Sequence, residues 1–492
     1  MPENNSPEAD IGMIFEGSYP YVSGGVSSWA QQLIESLPEF TFSVIAILPD
    51  KKPRKLKYNL PGNVENLHHI YIYQEDFDKR LNFRGRFEWG KIIEDYHKEE
   101  NIFNRDFFSN ISELFESENP PDIKDLIGSY KSFEMLTRQY DAKAPDASFL
   151  DYVWTWRFMH LGILEIMSAP LHHCRSYHAI STGYSGIYGC RLKHLYDRPY
   201  LLTEHGIYTR ERKIEITRSD WIYDKKKEEI RPERTLGVFK SMWIKAFRTM
   251  SRLTYQFTDE IITLYPGNQE FQLEDGAQKE KLRIIYNGID FEHYHALKKE
   301  RIPGRFTIVL IGRVVPVKDI KTFIRCVKIL SRQIPELKAL VMGPTDEDPK
   351  YYQECRQLVN LLAIEDFISF TGKVSIVDYY PEVDVLVLTS ISEAQPLVII
   401  EGNAAGIPAV CTDVGDCRDL LYGRAGEDRE MGKSGLIFNM ANPEQAAEHI
   451  FTLYRDLSFY KHCSETGIKR VSRYYKKEYQ INSYRELYGS YL

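Results

Sequence analysis

Two glutamates eight residues apart carry the clearest chemical signal in this chain. Glu393 and Glu401 lie in Ser390-Ile-Ser-Glu-Ala-Gln-Pro-Leu-Val-Ile-Ile-Glu401. The apolar stretch 384–389 just before them reads as a buried strand, and 396–405 reads as a helix. Proline suits a first helical turn, where its missing N–H costs nothing. Glu393 then falls on a loop at a strand's carboxyl end, the place where open α/β sheets bind ligands. Glu401 falls on a helix flank that reaches back towards the same loop. The unpaired N–H groups at the start of that helix favour anionic or oxygen-rich ligands. Two carboxylates around a helix start suit a polyhydroxylated, phosphorylated ligand.

Other residues have chemistry of the same kind. The apolar run 306–311 ends in Gly312-Arg-Val-Val-Pro-Val-Lys318, with a helix to follow. Arg313 offers a bidentate grip on oxygens and Lys318 a point charge, a pair that suits a diphosphate. His205 ends a strand at 199–203, between Glu204 and Gly206. A lone histidine is more often structural, but the end of a strand is where a functional one would sit. Gly24 and Gly25 close a long loop between a strand at 11–16 and a helix at 26–37, where backbone must turn sharply or approach a ligand.

Several signatures fail. Gly432-Lys-Ser434 resembles a phosphate loop, but residue 427 is glutamate and the segment precedes a strand, so it reads as a surface turn. Gly183, Gly186 and Gly189 are spaced by three and do not make a dinucleotide fingerprint. Asp76-Phe-Asp78 and Asp346-Glu-Asp348 have no histidine or second acidic pair close in sequence, and His172-His173 lacks helical metal-site spacing. No metal site is expected, and no serine-centred nucleophile elbow occurs.

The elements that must position these residues alternate between strand and helix. The chain has 492 residues, 43% hydrophobic and 27% charged, enough for two or three domains. A net charge of -7 argues against a nucleic-acid partner. No apolar run approaches the ~20 residues of a membrane span. The first ten residues read as a polar tail without a secretion signal, and the seven irregularly spaced cysteines read as reduced thiols. We expect one doubly wound domain over 1–300, interrupted by a mostly helical insertion at 51–151. A second should cover 301–470, and a terminal helix at 471–492 should pack back on the first. The charged stretch 207–238, with Lys225-Lys-Lys227, reads as a solvated face.

Glu393-x7-Glu401, Arg313 with Lys318, Asn287-Gly-Ile-Asp290, the Gly24-Gly25 loop and Glu204-His205-Gly206 together resemble the family 4 retaining glycosyltransferases, over nearly the whole chain. Phe15-Glu-Gly-Ser-Tyr-Pro-Tyr-Val-Ser-Gly-Gly-Val-Ser-Ser-Trp29, Thr203-Glu-His-Gly-Ile-Tyr208 and the insertion after Lys51 narrow the resemblance. They resemble the cytoplasmic glycosyltransferases of Pel-type exopolysaccharide systems. The resemblance implies a GT-B fold, two Rossmann-like α/β domains facing a central cleft. It implies retaining transfer of a hexosyl unit from UDP-glucose or a UDP-N-acetylhexosamine to a growing polysaccharide, without metal or other cofactor. Inner-membrane components of a polysaccharide synthase are the implied partners, for a cytoplasmic protein peripheral to that membrane.

By the same resemblance, Arg313 and Lys318 bind the donor diphosphate and Glu401 the ribose. Glu393 holds the donor sugar, aided by the backbone of Ala394, Gln395, Pro396 and Leu397. Lys373 and Val374 border the uracil. His205 lies near the transferred sugar, and Gly24 and Gly25 let the first domain approach phosphates or acceptor. Relatives often carry Phe-Gly after the first glutamate, so Gln395 is expected to shape the sugar pocket. Two other classes remain open: a non-catalytic nucleotide-sugar-binding subunit, and an NAD-type oxidoreductase, which the missing Gly-x-Gly-x-x-Gly disfavours.

Overall fold

A computed structural model of the chain describes residues 7–73, 104–218, 237–297 and 304–492. Asp76-Phe-Asp78 and Lys225-Lys-Lys227 lie outside the described residues. The chain divides into two compact units. One comprises Met1–Thr263, Gln269–Ile284 and Arg485–Leu492, and the other Leu264–Asn268 and Ile285–Tyr484.

Among the described residues the first unit is built on seven strands: β1 (Ile11–Glu16), β2 (Phe42–Leu48), β3 (Val64–Tyr71), β4 (Ser176–Ala179), β5 (Tyr200–Glu204), β6 (Glu260–Thr263) and β7 (Leu282–Ile284). They lie in the order β3-β2-β1-β4-β5-β6-β7, and every pairing is parallel. β2 is apolar at six of its seven positions and buried throughout, because helices cover both faces of a parallel sheet. The chain first builds outwards from β1 to β3, then returns to lay β4 on the other side of β1. That reversal opens a crevice beyond the carboxyl ends of β1 and β4.

The second unit repeats the plan with β8 (Phe306–Ile311), β9 (Leu337–Met342), β10 (Ile368–Gly372), β11 (Val385–Leu388), β12 (Ala409–Thr412) and β13 (Gly435–Phe438). The order is β10-β9-β8-β11-β12-β13, again all parallel. Its reversal lies between β8 and β11. Along β8 the side chains alternate between two cores: Phe306, Ile308 and Leu310 enter one, Val309 and Ile311 the other. The helix Ile320–Leu330 packs in the first core and the helix Leu397–Ala404 in the second. These are the two doubly wound domains of the expected fold class.

Some expectations change. The segment 51–151 is not uniformly helical. It contributes β3, whose mixed sequence Val-Glu-Asn-Leu-His-His-Ile-Tyr hides it, because an edge strand needs few buried positions. The helices Arg105–Phe115, Ile123–Gly128 and Tyr130–Lys143 follow. Nor is 207–218 only a solvated face, since the helix Tyr208–Arg218 buries Tyr208 and Ile216. Gly189 serves packing: a methyl there would lie 2.4 Å from the Tyr200 ring. The start of the chain is pinned from Glu8, whose N–H donates to the His173 carbonyl at 2.7 Å, and Ala9 is buried. The second unit takes Leu264–Asn268 and resumes at Ile285, and Arg485–Leu492 belongs to the first unit. There Tyr488 Oη lies 2.7 Å from His178 Nδ1, and Arg485 Nε donates to Glu39 Oε1 at 2.5 Å.

Gly343, just past β9, is the tightest backbone approach near the second reversal. Its φ is +150°, and a Cβ there would lie 2.0 Å from the Gly312 carbonyl oxygen. Gly343→Ala must push the end of β8 aside. We expect it to cost about 2 kcal/mol or more in urea denaturation; an unchanged midpoint would refute this reading of the contact.

Candidate active site

The loops that leave β8 and β11 are fastened together. Ile391 N–H donates to the Val317 carbonyl at 2.8 Å. Thr389 Oγ1 lies 2.8 Å from the Lys318 carbonyl oxygen and 3.0 Å from that of Asp319. After a 3-10 turn at Pro316–Lys318, Asp319 caps the helix Ile320–Leu330 by accepting from Thr322 N–H. This lacing brings Lys318 Nζ to 2.5 Å from Glu393 Oε1. The pair is largely covered, at 20% and 13% exposed. The two residues therefore meet directly at the reversal of the sheet, a closeness that their separation of 75 positions conceals.

Arg313 stands further out. It is 54% exposed, and its Nη1 donates to Glu347 Oε1 at 2.5 Å. Glu347 is the middle of Asp346-Glu-Asp348, whose Asp348 caps the helix Pro349–Leu361 by accepting from Tyr351 N–H at 2.9 Å. The acidic triplet thus has local structural work.

Behind Glu393 the backbone is held from below. Gly415, at φ +54°, presses so close that a Cβ would lie 2.3 Å from the Glu393 carbonyl oxygen. Asp416 N–H donates to the Ala394 carbonyl at 2.8 Å. Pro396 occupies the N-cap and not the first turn, and the helix Leu397–Ala404 has no side-chain cap. Ile399 N–H donates to the Pro396 carbonyl at 3.2 Å, which leaves the N–H groups of Leu397 and Val398 as the first-turn donors open to a ligand.

Gln395 differs from its expected place in a sugar pocket. It is buried, Oε1 accepts from Asn287 N–H at 2.7 Å, and Nε2 donates to Asp416 Oδ2 at 2.6 Å. Both ends of the amide are spent on neighbouring loops, so what Gln395 presents outwards is backbone. Asn287 in turn accepts from Gln480 Nε2 at 3.1 Å. Burial, opposed in part by the Gln395 bond, pushes the Asp416 carboxyl up to about 8.

Glu401 meets two phenols. Tyr380 Oη donates to its Oε2 at 3.2 Å, and Tyr294 is a second hydrogen-bond partner. Burial raises its pKa, and the two tyrosines hold the rise in check. Lys373, exposed, and Val374, half-buried, follow β10 at the outer edge of this sheet.

The remaining expected residues belong to the first unit. His205 follows β5 with its ring edge-on to Trp29, centroids 4.6 Å apart. Burial holds it down to about 4, so it is neutral at pH 7. Gly24 is the exposed N-cap of the helix Gly25–Glu35, which has no side-chain cap. A Cβ at Gly24 or Gly25 would meet nothing within 4 Å.

Two features of this unit escaped the sequence. Glu204 is a buried carboxyl that accepts from Tyr255 Oη at 2.8 Å and Gln272 Nε2 at 2.9 Å. Burial pushes it up to about 7 against those bonds. At the β1/β4 reversal a cavity of about 250 Å³ is lined by Glu16, Tyr73, Tyr184, Tyr208, Arg212 and Trp243, among others. In the sequence Glu16 was marked by its place at the end of a buried strand and within Phe15–Trp29.

Comparison with known proteins follows this two-part plan. Residues 9–280, more than half of the chain, match the family described as "Domain of unknown function (DUF3492)". The chain belongs to the DUF3492 family. Residues 295–470 of this DUF3492 member match "Glycosyl transferases group 1", a match that lies within the second unit. A D-inositol 3-phosphate glycosyltransferase of Streptomyces coelicolor is 26% identical over 167 residues, 28% of this chain and 36% of that one. The chain thus spans about a third of that relative's length. Among solved structures, sucrose-phosphate synthase from Thermosynechococcus elongatus superposes with a TM-score of 0.60 at 16% identity, covering 98% of each chain. HepE of Anabaena in complex with UDP gives 0.59 at 13% identity, covering 98% of this chain and 100% of that one. At such identities the likeness is one of fold.

Asp416 gives this DUF3492 member a pH signature. Its folded pKa of about 8 stands above the ordinary 3.8. Its contribution is therefore complete below about pH 4 and is lost as pH rises through 8. Wild-type stability relative to Asp416→Asn should fall between pH 6 and 9, by at most about 1.4 kcal/mol per pH unit. Urea midpoints across that range check this, and parallel pH profiles would contradict it. Gln395→Ala strands the Asn287 N–H and should cost about 2 kcal/mol at pH 7.

Proposed function

We propose that the chain transfers a hexosyl unit from a UDP-sugar to a hydroxyl of a growing polysaccharide, with retention and without a metal. The observation that carries this reading is the Lys318–Glu393 pair at the β8/β11 reversal, beside the uncapped start of the helix Leu397–Ala404. The group 1 glycosyltransferase match supports it, as does a fold shared with HepE, which was solved with UDP and with UDP-glucose.

A diphosphate entering here competes with Glu393 for Lys318 Nζ. The lysine turns to phosphate oxygens, and the carboxylate is released to accept hydrogen bonds from the hydroxyls of the donor sugar. Arg313, on the same loop and exposed, supplies a second cation that can leave Glu347. Transfer breaks the bond from the anomeric carbon to the phosphate oxygen and forms a bond to the acceptor oxygen on the same face. The departing phosphate accepts the acceptor's proton. Charge develops on the leaving diphosphate, and two cations with open N–H groups oppose it electrostatically. Glu393 then positions substrate and is not an acid of the hydrolase kind. Glu401, between its two tyrosines, is assigned to the ribose, and Lys373 and Val374 to the uracil edge.

The cavity of the first unit is assigned to the acceptor. Aromatic walls stack on the apolar faces of sugar rings, and Glu16 and Arg212 offer partners for hydroxyls. The resemblance to Pel-type systems supports an exopolysaccharide acceptor and inner-membrane partners for a cytoplasmic enzyme. Among the described residues no helix is long and apolar enough to cross a membrane.

Lys318→Ala and Arg313→Ala should each lower kcat/KM about 100-fold or more while the protein stays folded. Near-normal turnover in either overturns the phosphate assignment. Calorimetry should show UDP binding more tightly than GDP or ADP, and release of free UDP on addition of acceptor separates an enzyme from a mere binder.

A further inference from the structure

Three distant segments of the first unit meet at one point. Glu8 precedes β1, His68 lies within β3, and His172 precedes β4. One carboxylate oxygen and one ring nitrogen from each histidine lie within 4.8 Å of one another. His68 Nε2 is 2.8 Å from Glu8 Oε2, and His172 Nδ1 is 3.7 Å from Glu8 Oε1. The two imidazoles stack with centroids 3.6 Å apart and planes 18° apart. The scaffold beneath is fixed: Glu8 N–H donates to the His173 carbonyl at 2.7 Å, and Arg175 N–H donates to the Ala9 carbonyl at 3.1 Å. The spacing of His172-His173 gave no sign of this group, whose members lie far apart in the chain.

We propose that Glu8, His68 and His172 form a binding site for one borderline divalent transition ion, zinc foremost. Two imidazoles and one carboxylate are a zinc-type donor set, and partial exposure leaves room for a water as the fourth ligand. The ion replaces the proton shared by His68 Nε2 and Glu8. Since the rings are stacked, coordination requires one histidine to turn about χ2, a broad torsion. The site lies on segments that lead into β1 and β4, whereas Glu16 and Tyr184 of the cavity follow those strands. Its role is therefore structural. It clamps β3, which among the described residues pairs with β2 alone, to the start of the chain and the approach to β4.

The test uses the full chain without an affinity tag, freed of metal with EDTA. Zinc chloride titrated in a calorimeter at pH 7.5 should bind one ion per chain and raise the thermal unfolding midpoint by about 2 °C or more. Cobalt(II) should give visible absorption of a four-coordinate site. His68→Ala, His172→Ala and the milder Glu8→Gln should each weaken zinc at least tenfold. His173→Ala, whose ring stacks on Tyr196 instead, should bind as the wild type does. UDP affinity should be the same with and without zinc. Absence of binding, or binding that survives all three substitutions, overturns the proposal, and Glu8→Gln keeps that outcome readable should either alanine variant fail to fold.

Discussion

The second unit depends on the fastening of two loops that the sheet brings side by side. β8 and β11 are neighbours only because the chain reverses its direction of building between β10 and β11. Their loops would otherwise splay apart under the sheet's twist. Thr389 and Ile391 stop this by bonding to the carbonyls of Val317, Lys318 and Asp319. Lys318 and Glu393 are thereby held at hydrogen-bond distance with little solvent around them. A half-buried pair of this kind gives modest stability, since desolvation offsets attraction. Its effect is to hold each charged group in a fixed place on its loop.

The same loop is supported from behind by polar groups. Gln480, Asn287, Gln395 and Asp416 form a chain of side-chain and backbone bonds within the second unit. Such a chain fixes geometry because each buried amide must be satisfied in full. Asp416 is the weak member. One of its oxygens, Oδ1, has no partner among the described residues, and burial favours its neutral form. Rigidity behind Glu393 comes from this network and from Gly415, where only a residue without Cβ lets the two loops touch.

The first unit places its polar groups differently. Glu204 and His205 are adjacent in sequence but have opposite surroundings. Glu204 points into a cage of hydroxyl and amide donors, and His205 lies against the Trp29 ring. Burial disfavours the charged form of each, pushing the carboxyl up to about 7 and holding the imidazole down to about 4. Aromatic side chains then line the crevice at the β1/β4 reversal, with Glu16 and Arg212 among them.

The sequence by itself determined the fold class and the alternation of most of its elements. Parallel strands buried on both faces are written as continuous apolar runs, such as 306–311 and 42–48, and turn residues delimit them. It also singled out Glu393 and Lys318, since charged residues just past such runs fall on the ligand-binding edge of a sheet. It could not show β3, because an edge strand needs few buried positions. Nor could it show the glutamine bridge from Gln395, which looked like a pocket residue because hydrogen-bond partners 108 and 21 positions away leave no local pattern. The pairing of Lys318 with Glu393, the cavity behind Glu16 and the meeting of Glu8, His68 and His172 belong to the tertiary structure alone. Each joins segments that only strand order makes adjacent, and strand order in a doubly wound sheet is settled by packing across the whole unit.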